Sequence, residues 1–127
     1  MHRAPSEHLC PAFQAAMDLL GRPWTGRILT ALEEGPKRFT ELSARVGAIG
    51  DRMLACRLKE LEAAGVIARH VIPSTPVRVE YELTDAGRGF GDVARSLEAW
   101  GRALLAASPE AATAREVHED ACVAEEP

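Results

Sequence analysis

A chain of 127 residues, 46% apolar and 27% charged, has the composition of an ordinary globular protein with one modest core. No segment approaches the roughly 18 continuous apolar residues of a membrane span, and Met1-His2-Arg3-Ala4-Pro5 lacks a signal-peptide apolar stretch, so no membrane contact and a cytoplasmic location are expected. Cys10, Cys56 and Cys122 and the scattered His2, His8, His70 and His118 show no metal-ligand spacing, and an odd cysteine count argues against a disulfide framework.

Residues 1–8 carry no apolar period and read as a loose arm. Leu9, Phe13, Ala16, Met17 and Leu20 then recur at helical spacing, and Pro11 suits a first helical position, so a helix should begin at Cys10 or Pro11 and end at Gly21. Pro23 should open a second helix carrying Trp24, Ile28, Leu29 and Leu32, stopped by Gly35-Pro36. A short third helix, about Thr40 to Val46, points Phe39, Leu42 and Val46 inward. After Gly47-Ala48-Ile49-Gly50, a fourth helix from about Asp51 to Ala64 has Leu54, Leu58 and Leu61 on one stripe and is capped by Gly65.

The period then changes to two. Val66 to Ile72 and Val77 to Leu83 read as strands joined through Pro73-Ser74-Thr75-Pro76. Thr84 suits the N-cap of a last helix running to about Ala107, with Phe90, Val93, Leu97, Trp100 and Leu104 on one face. A domain of this size cannot bury so long a stripe internally. That face and the first helix, through Phe13 and Met17, are therefore expected to form a homodimer. Residues 9–108 make the folded domain, and 109–127 read as an acidic, disordered tail.

Two helices joined by a glycine-bearing turn, then a two-stranded wing, with helices on either side, spell a mainly α, α+β winged helix-turn-helix with flanking dimerisation helices. The net charge of −4 hides its distribution. Residues 110–127 hold six acids against Arg115 alone, whereas Lys37 to Arg69 holds seven basic residues against four acids. The local sign is the one a phosphate backbone meets, and it is positive. Opposite the leucine stripe of the fourth helix lie Arg52, Cys56 and Lys59. With Ala55 they form a groove-facing surface in which Arg52 and Lys59 donate and the small residues permit close approach. Lys37, Arg38 and, beside the wing tip, Arg78 extend it. A solvated helix face would look the same in isolation; the wing and Lys37-Arg38 turn the reading towards duplex DNA.

Cys10-Pro11, Gly21-Arg22-Pro23-Trp24-Thr25, Gly35-Pro36-Lys37-Arg38-Phe39-Thr40-Glu41-Leu42, Arg57-Leu58-Lys59-Glu60-Leu61-Glu62 and Pro76-Val77-Arg78-Val79-Glu80-Tyr81-Glu82-Leu83-Thr84 together resemble the HxlR-type winged-helix regulators, over roughly residues 9–108. The resemblance implies a homodimeric bacterial or archaeal transcriptional regulator, several members sensing aldehydes, quinones or oxidants. This chain departs from the pattern at Gly50, where Ser is usual, and at Pro23, which stands in place of a basic residue.

Cys10 matches the cysteine that some such regulators use as a redox switch. A thiol at a helix N-terminus also meets the positive end of the helix dipole, which favours its thiolate; the alternative is a small buried residue closing the helix start. Cys56, on the expected groove face, is a second redox candidate. No Ser-His-Asp set, phosphate-cradling loop or paired carboxylates indicates an enzyme, and Gly87, Gly89 and Gly91 lack the βαβ context of a dinucleotide loop. Two other readings remain open: a winged-helix regulator switched by a non-covalent effector, and an adaptor that binds protein rather than DNA.

Overall fold

A computed structural model describes residues 10–108 and Glu110. The expected arm and most of the acidic tail, with Cys122, lie outside the described residues. The element order is α1 (Pro11–Leu20), α2 (Thr25–Leu32), β1 (Lys37–Arg38), α3 (Phe39–Val46), α4 (Asp51–Ala63), β2 (Ile67–Ile72), β3 (Arg78–Leu83), α5 (Asp85–Arg88) and α6 (Phe90–Ala107).

The core is aliphatic: Ile28, Leu29, Leu32, Leu42, Val46, Ile49, Leu54, Leu58, Leu61, Ile67 and Leu83 are all buried. Apart from Ile49, these are the inward positions of the helical and alternating periods, which explains why the period located them. Ile49 plugs the turn between α3 and α4. That turn reverses the chain in four residues because Gly47 takes a φ of 107°, a region closed to most side chains. Gly50 is the N-cap of α4 in place of a serine. At the other end of α4 the Gly65 amide bonds the Glu62 carbonyl (3.0 Å) and the Val66 amide bonds the Leu61 carbonyl (3.1 Å). With Gly65 at a φ of 84° this is a Schellman stop, and it aims the chain into β2.

Three expectations need correction. Pro23 does not open α2. Trp24 is its N-cap, in a left-handed conformation with φ 76°, and the helix starts at Thr25. Such a backbone costs a non-glycine residue roughly 1–2 kcal/mol, so neighbouring contacts must hold it. The wing sheet has three strands, not two. Lys37 and Arg38 pair with Tyr81 and Glu80, giving the order β1-β3-β2. A two-residue strand is too short to show any period. The last helix is divided in two by Gly89. Thr84 does cap the first piece, its hydroxyl accepting from the Gly87 amide at 3.1 Å. The long piece, α6, has 18 residues and so spans about 27 Å.

The hairpin pairs in register, but burial fades from its base to its tip rather than alternating: Ile67 and Leu83 are buried, Val71 and Val77 exposed. Ile67 pairs with Leu83 and Ile72 with Arg78, with Pro73 to Val77 as the tip. Glu80 and Glu82 are not simply solvated: Glu82 lies 2.9 Å from His70 across the strands and Glu80 lies 3.8 Å from Arg78.

Candidate nucleic-acid interface

α4 buries one arc and exposes another, and the boundary between them defines the surface. Leu54, Leu58 and Leu61 face the core, with at most 2% of each exposed. Arg52, Ala55, Lys59 and Glu62 lie on the opposite side and are exposed. Arg52 and Lys59 are seven residues apart, two turns of helix, so both project from one face about 10 Å apart along the axis. Both are donor side chains of the kind that pair with guanine acceptors or phosphates, and Ala55 between them adds no bulk.

Cys56 does not belong to that face. It is buried and disulfide-bonded. This corrects the expectation of a groove-facing thiol, and the odd cysteine count did not exclude a disulfide. The buried arc of α4 is wider than its leucine stripe because it also includes Arg57 and Glu60, which turn toward the segment between α1 and α2.

Arg57 is also not one of the basic residues available to a phosphate, for it is completely buried. Its Nε donates to the Pro23 carbonyl at 2.9 Å, and its Nη1 donates to both Glu60 oxygens at 3.1 and 3.2 Å. Arg22 Nη1 reaches the same carboxylate at 3.2 Å. The sequence carries a faint signal of this network, the Arg-x-x-Glu spacing of 57 and 60, which the count of positive charges obscured.

At the base of the wing, Lys37 is ion-paired with Glu34 at 3.1 Å, and Arg45 holds the same carboxylate. These two cations together keep the Glu34 carboxyl below the ordinary glutamate range. Lys37 is thus partly neutralised, while Arg38 beside it is exposed. On the hairpin, Arg78 and Arg69 are exposed. The sequence reading did not single out Arg69, although it is basic and on the outer side of β2. Arg38, Arg52, Lys59, Arg69 and Arg78, with Arg45 held by Glu34, are the exposed arginines and lysines that α3, α4 and the wing carry.

Cys10 sits at the N-cap of α1, exposed and a free thiol. The backbone amides of Phe13 and Ala12 hold its pKa below the ordinary thiol value by stabilising the thiolate. Its exposure removes the alternative of a buried filler. On α1 and α6, Phe13, Met17, Val93, Leu97, Trp100, Leu104 and Leu105 are all between 41% and 62% exposed. Phe90 is the exception in the expected stripe, for it packs against the core. Among the described residues no group of His, Cys, Asp and Glu could hold a metal, and no helix is long and apolar enough to cross a membrane.

A helix-turn-helix with a three-stranded wing, and a second helix presenting arginine and lysine away from its leucine stripe, defines the class of winged helix-turn-helix proteins. The chain belongs to the HxlR-like helix-turn-helix family, whose profile matches residues 19–109. It is 44% identical over 92 residues to the HTH-type transcriptional regulator YodB of Bacillus subtilis (strain 168), covering 72% of this chain and 82% of that protein. The structure of the reduced form of B. subtilis YodB superposes with a TM-score of 0.69 at 44% identity, over 72% of this chain and 89% of that one. The redox regulator HypR in its oxidised form superposes with a TM-score of 0.66 at 35% identity, over 74% of this chain and 96% of that one.

Proposed function

We propose that this protein is a sequence-specific transcriptional regulator that binds duplex DNA as a homodimer and is switched by oxidants or electrophiles acting at Cys10. It is not an enzyme; its relatives are DNA-binding regulators. The observation that carries the reading is the outward placement of Arg52, Ala55 and Lys59 on α4, directly opposite buried leucines. In this arrangement α4 enters the major groove and makes base contacts. Arg38, at the start of α3, and Arg78, on the wing, contact phosphates on either side, with Lys37 supporting them. A protein acting on the chromosome works in the cytoplasm.

A homodimer fits this reading on two counts. The apolar face of α1 and α6 is far larger than a lone surface residue and needs a cover, and its own counterpart in a second chain is apolar in the same way. A two-fold dimer also presents two copies of α4, matching a pseudo-palindromic operator with half-sites about 34 Å, or a multiple, apart. The redox reading draws on Cys10 itself, exposed and with a stabilised thiolate, and on relatives whose structures are described as diamide-treated and quinone-bound YodB and as oxidised and reduced HypR.

Selection of duplexes from a fragmented genome by the purified protein tests the function. Enrichment of a short two-fold symmetric sequence, with affinity falling steeply between about 50 and 200 mM salt, is the expected result. Recovery of no sequence above background would favour the protein-binding adaptor instead. A non-covalent effector becomes the better reading if the retained DNA is released by a small molecule and not by peroxide, hypochlorite or quinone.

A further inference from the structure

The recognition helix α4 is held on one side by the leucine core, which any helix of the domain would use. On its other flank it is held by a charged network. Arg57, the largest fully buried side chain, spends its guanidinium on the Pro23 carbonyl and the Glu60 carboxylate, and Glu60 in turn holds Arg22. A buried ion pair is poor value as pure stability, because desolvating the two charges offsets their attraction. It is effective at fixing geometry, since each partner tolerates only a narrow range of positions. The network's far end is the turn from Gly21 to Trp24, and there Trp24 adopts its left-handed backbone immediately after the carbonyl that Arg57 holds. The rigid turn, the end of α1 and the orientation of α4 are therefore linked through three side chains.

We propose that Arg22, Arg57 and Glu60 are positioning residues for DNA recognition, fixing the orientation of α4 relative to α1 and the α1–α2 turn so that Arg52 and Lys59 meet base edges in register. None of the three contacts DNA. They act through the angle of the helix that does. The proposal rests on the reading of α4 as the recognition helix. Loss of the network leaves the cations of α4 and the wing in place, so attraction to phosphates persists, whereas discrimination between base sequences falls.

The test compares affinity for the duplex enriched by the wild-type protein with affinity for a scrambled duplex of the same length and salt. Arg22 is the residue to change first, because its side chain is 39% exposed and its removal leaves no cavity. In Arg22→Ala the ratio of the two affinities should fall about tenfold while binding to the scrambled duplex and the melting temperature stay near wild type. Arg22→Lys, which keeps a cation on Glu60, should restore most of the ratio. Arg57→Met, which fills the same space without the charge, should lower the ratio at least as much if it folds. An unchanged ratio in Arg22→Ala overturns the proposal, as does a fall that tracks the melting temperature and is not rescued by lysine. If the wild type itself enriches no duplex, the DNA-binding reading fails instead, so the two failures are distinguishable.

Discussion

The Thr84 hydroxyl donates to the Gly65 carbonyl at 2.6 Å, and so ties the start of α5 to the stop of the recognition helix nineteen residues earlier. The same oxygen accepts from the Gly87 amide, and the Thr84 amide donates to the Val66 carbonyl at 3.0 Å. One threonine thereby closes the wing hairpin against α4 and launches the helices that follow it. Thr84→Val keeps the shape but removes the hydroxyl, and it should destabilise the fold by about 1–2 kcal/mol. For a domain of this size that lowers the melting temperature by roughly 4–8 °C for each kcal/mol, readable by circular dichroism.

Gly87 tests the same junction from the other side. A Cβ placed there would lie 2.0 Å from the Val66 carbonyl oxygen, and backbone cannot step aside as a flexible side chain does. Gly87→Ala should therefore destabilise by at least the roughly 1–3 kcal/mol of an overpacked core. Gly26→Ala, where nothing lies within 4 Å and the residue sits in α2 rather than in the proposed α1–α6 contact, should be neutral or slightly stabilising. Equal melting temperatures for the two variants would show that the junction is looser than described.

On the proposed DNA face, Arg52→Ala and Lys59→Ala should each lower operator affinity by about 1–3 kcal/mol without unfolding the protein, because both project away from the core. Arg78→Ala should weaken binding to all sequences about equally and reduce the salt slope by about one unit. Titration of labelled duplex at several salt concentrations separates the two behaviours. Operator affinity unchanged in both helix variants would mean that another face of the domain meets the groove.

Trp100, the most exposed large apolar residue of α6, is 62% accessible in the single chain. Trp100→Asp places a charge in the middle of the proposed α1–α6 contact and should shift the protein from dimer to monomer in sedimentation at micromolar concentration. A wild-type protein that sediments as a monomer there would refute the dimer directly.

Cys10 should alkylate faster at pH 7 than a free model thiol, because the amides of Phe13 and Ala12 favour the thiolate. The direction of the shift sets the pH profile: with its pKa depressed, the rate rises to its plateau at lower pH than for an unperturbed cysteine near 8.5, and falls only as pH drops through that depressed value. Mass spectrometry of the Cys10 peptide after timed iodoacetamide treatment measures it. A profile centred on the free-thiol value would show that the helix end does not activate this cysteine. Operator binding indifferent to peroxide, hypochlorite and quinone would separately remove it as the switch.

The sequence by itself determined the order of elements, the aliphatic core and the exposed basic face of α4. Each depends on local periodicity: 3.6 residues for Leu54, Leu58 and Leu61, two for Val79, Tyr81 and Leu83, and fixed stop signals at Gly21, Gly47 and Gly65. The family resemblance was likewise legible, because it is carried by short motifs in fixed order. Only the tertiary structure decided the rest. β1 exists because β3 offers Lys37 and Arg38 an edge to pair with, and two residues have no period of their own. Trp24 starts α2 in a left-handed turn because Arg57, thirty-four residues from Pro23, holds the Pro23 carbonyl just before it. Arg57 and Cys56 look like exposed members of a polar helix in a one-dimensional count, yet the neighbouring α1–α2 turn buries the first, and the second is buried and disulfide-bonded. A helix wheel assigns each residue an angle; which angles are covered is fixed by what packs against the helix, and that information is distributed over distant parts of the chain.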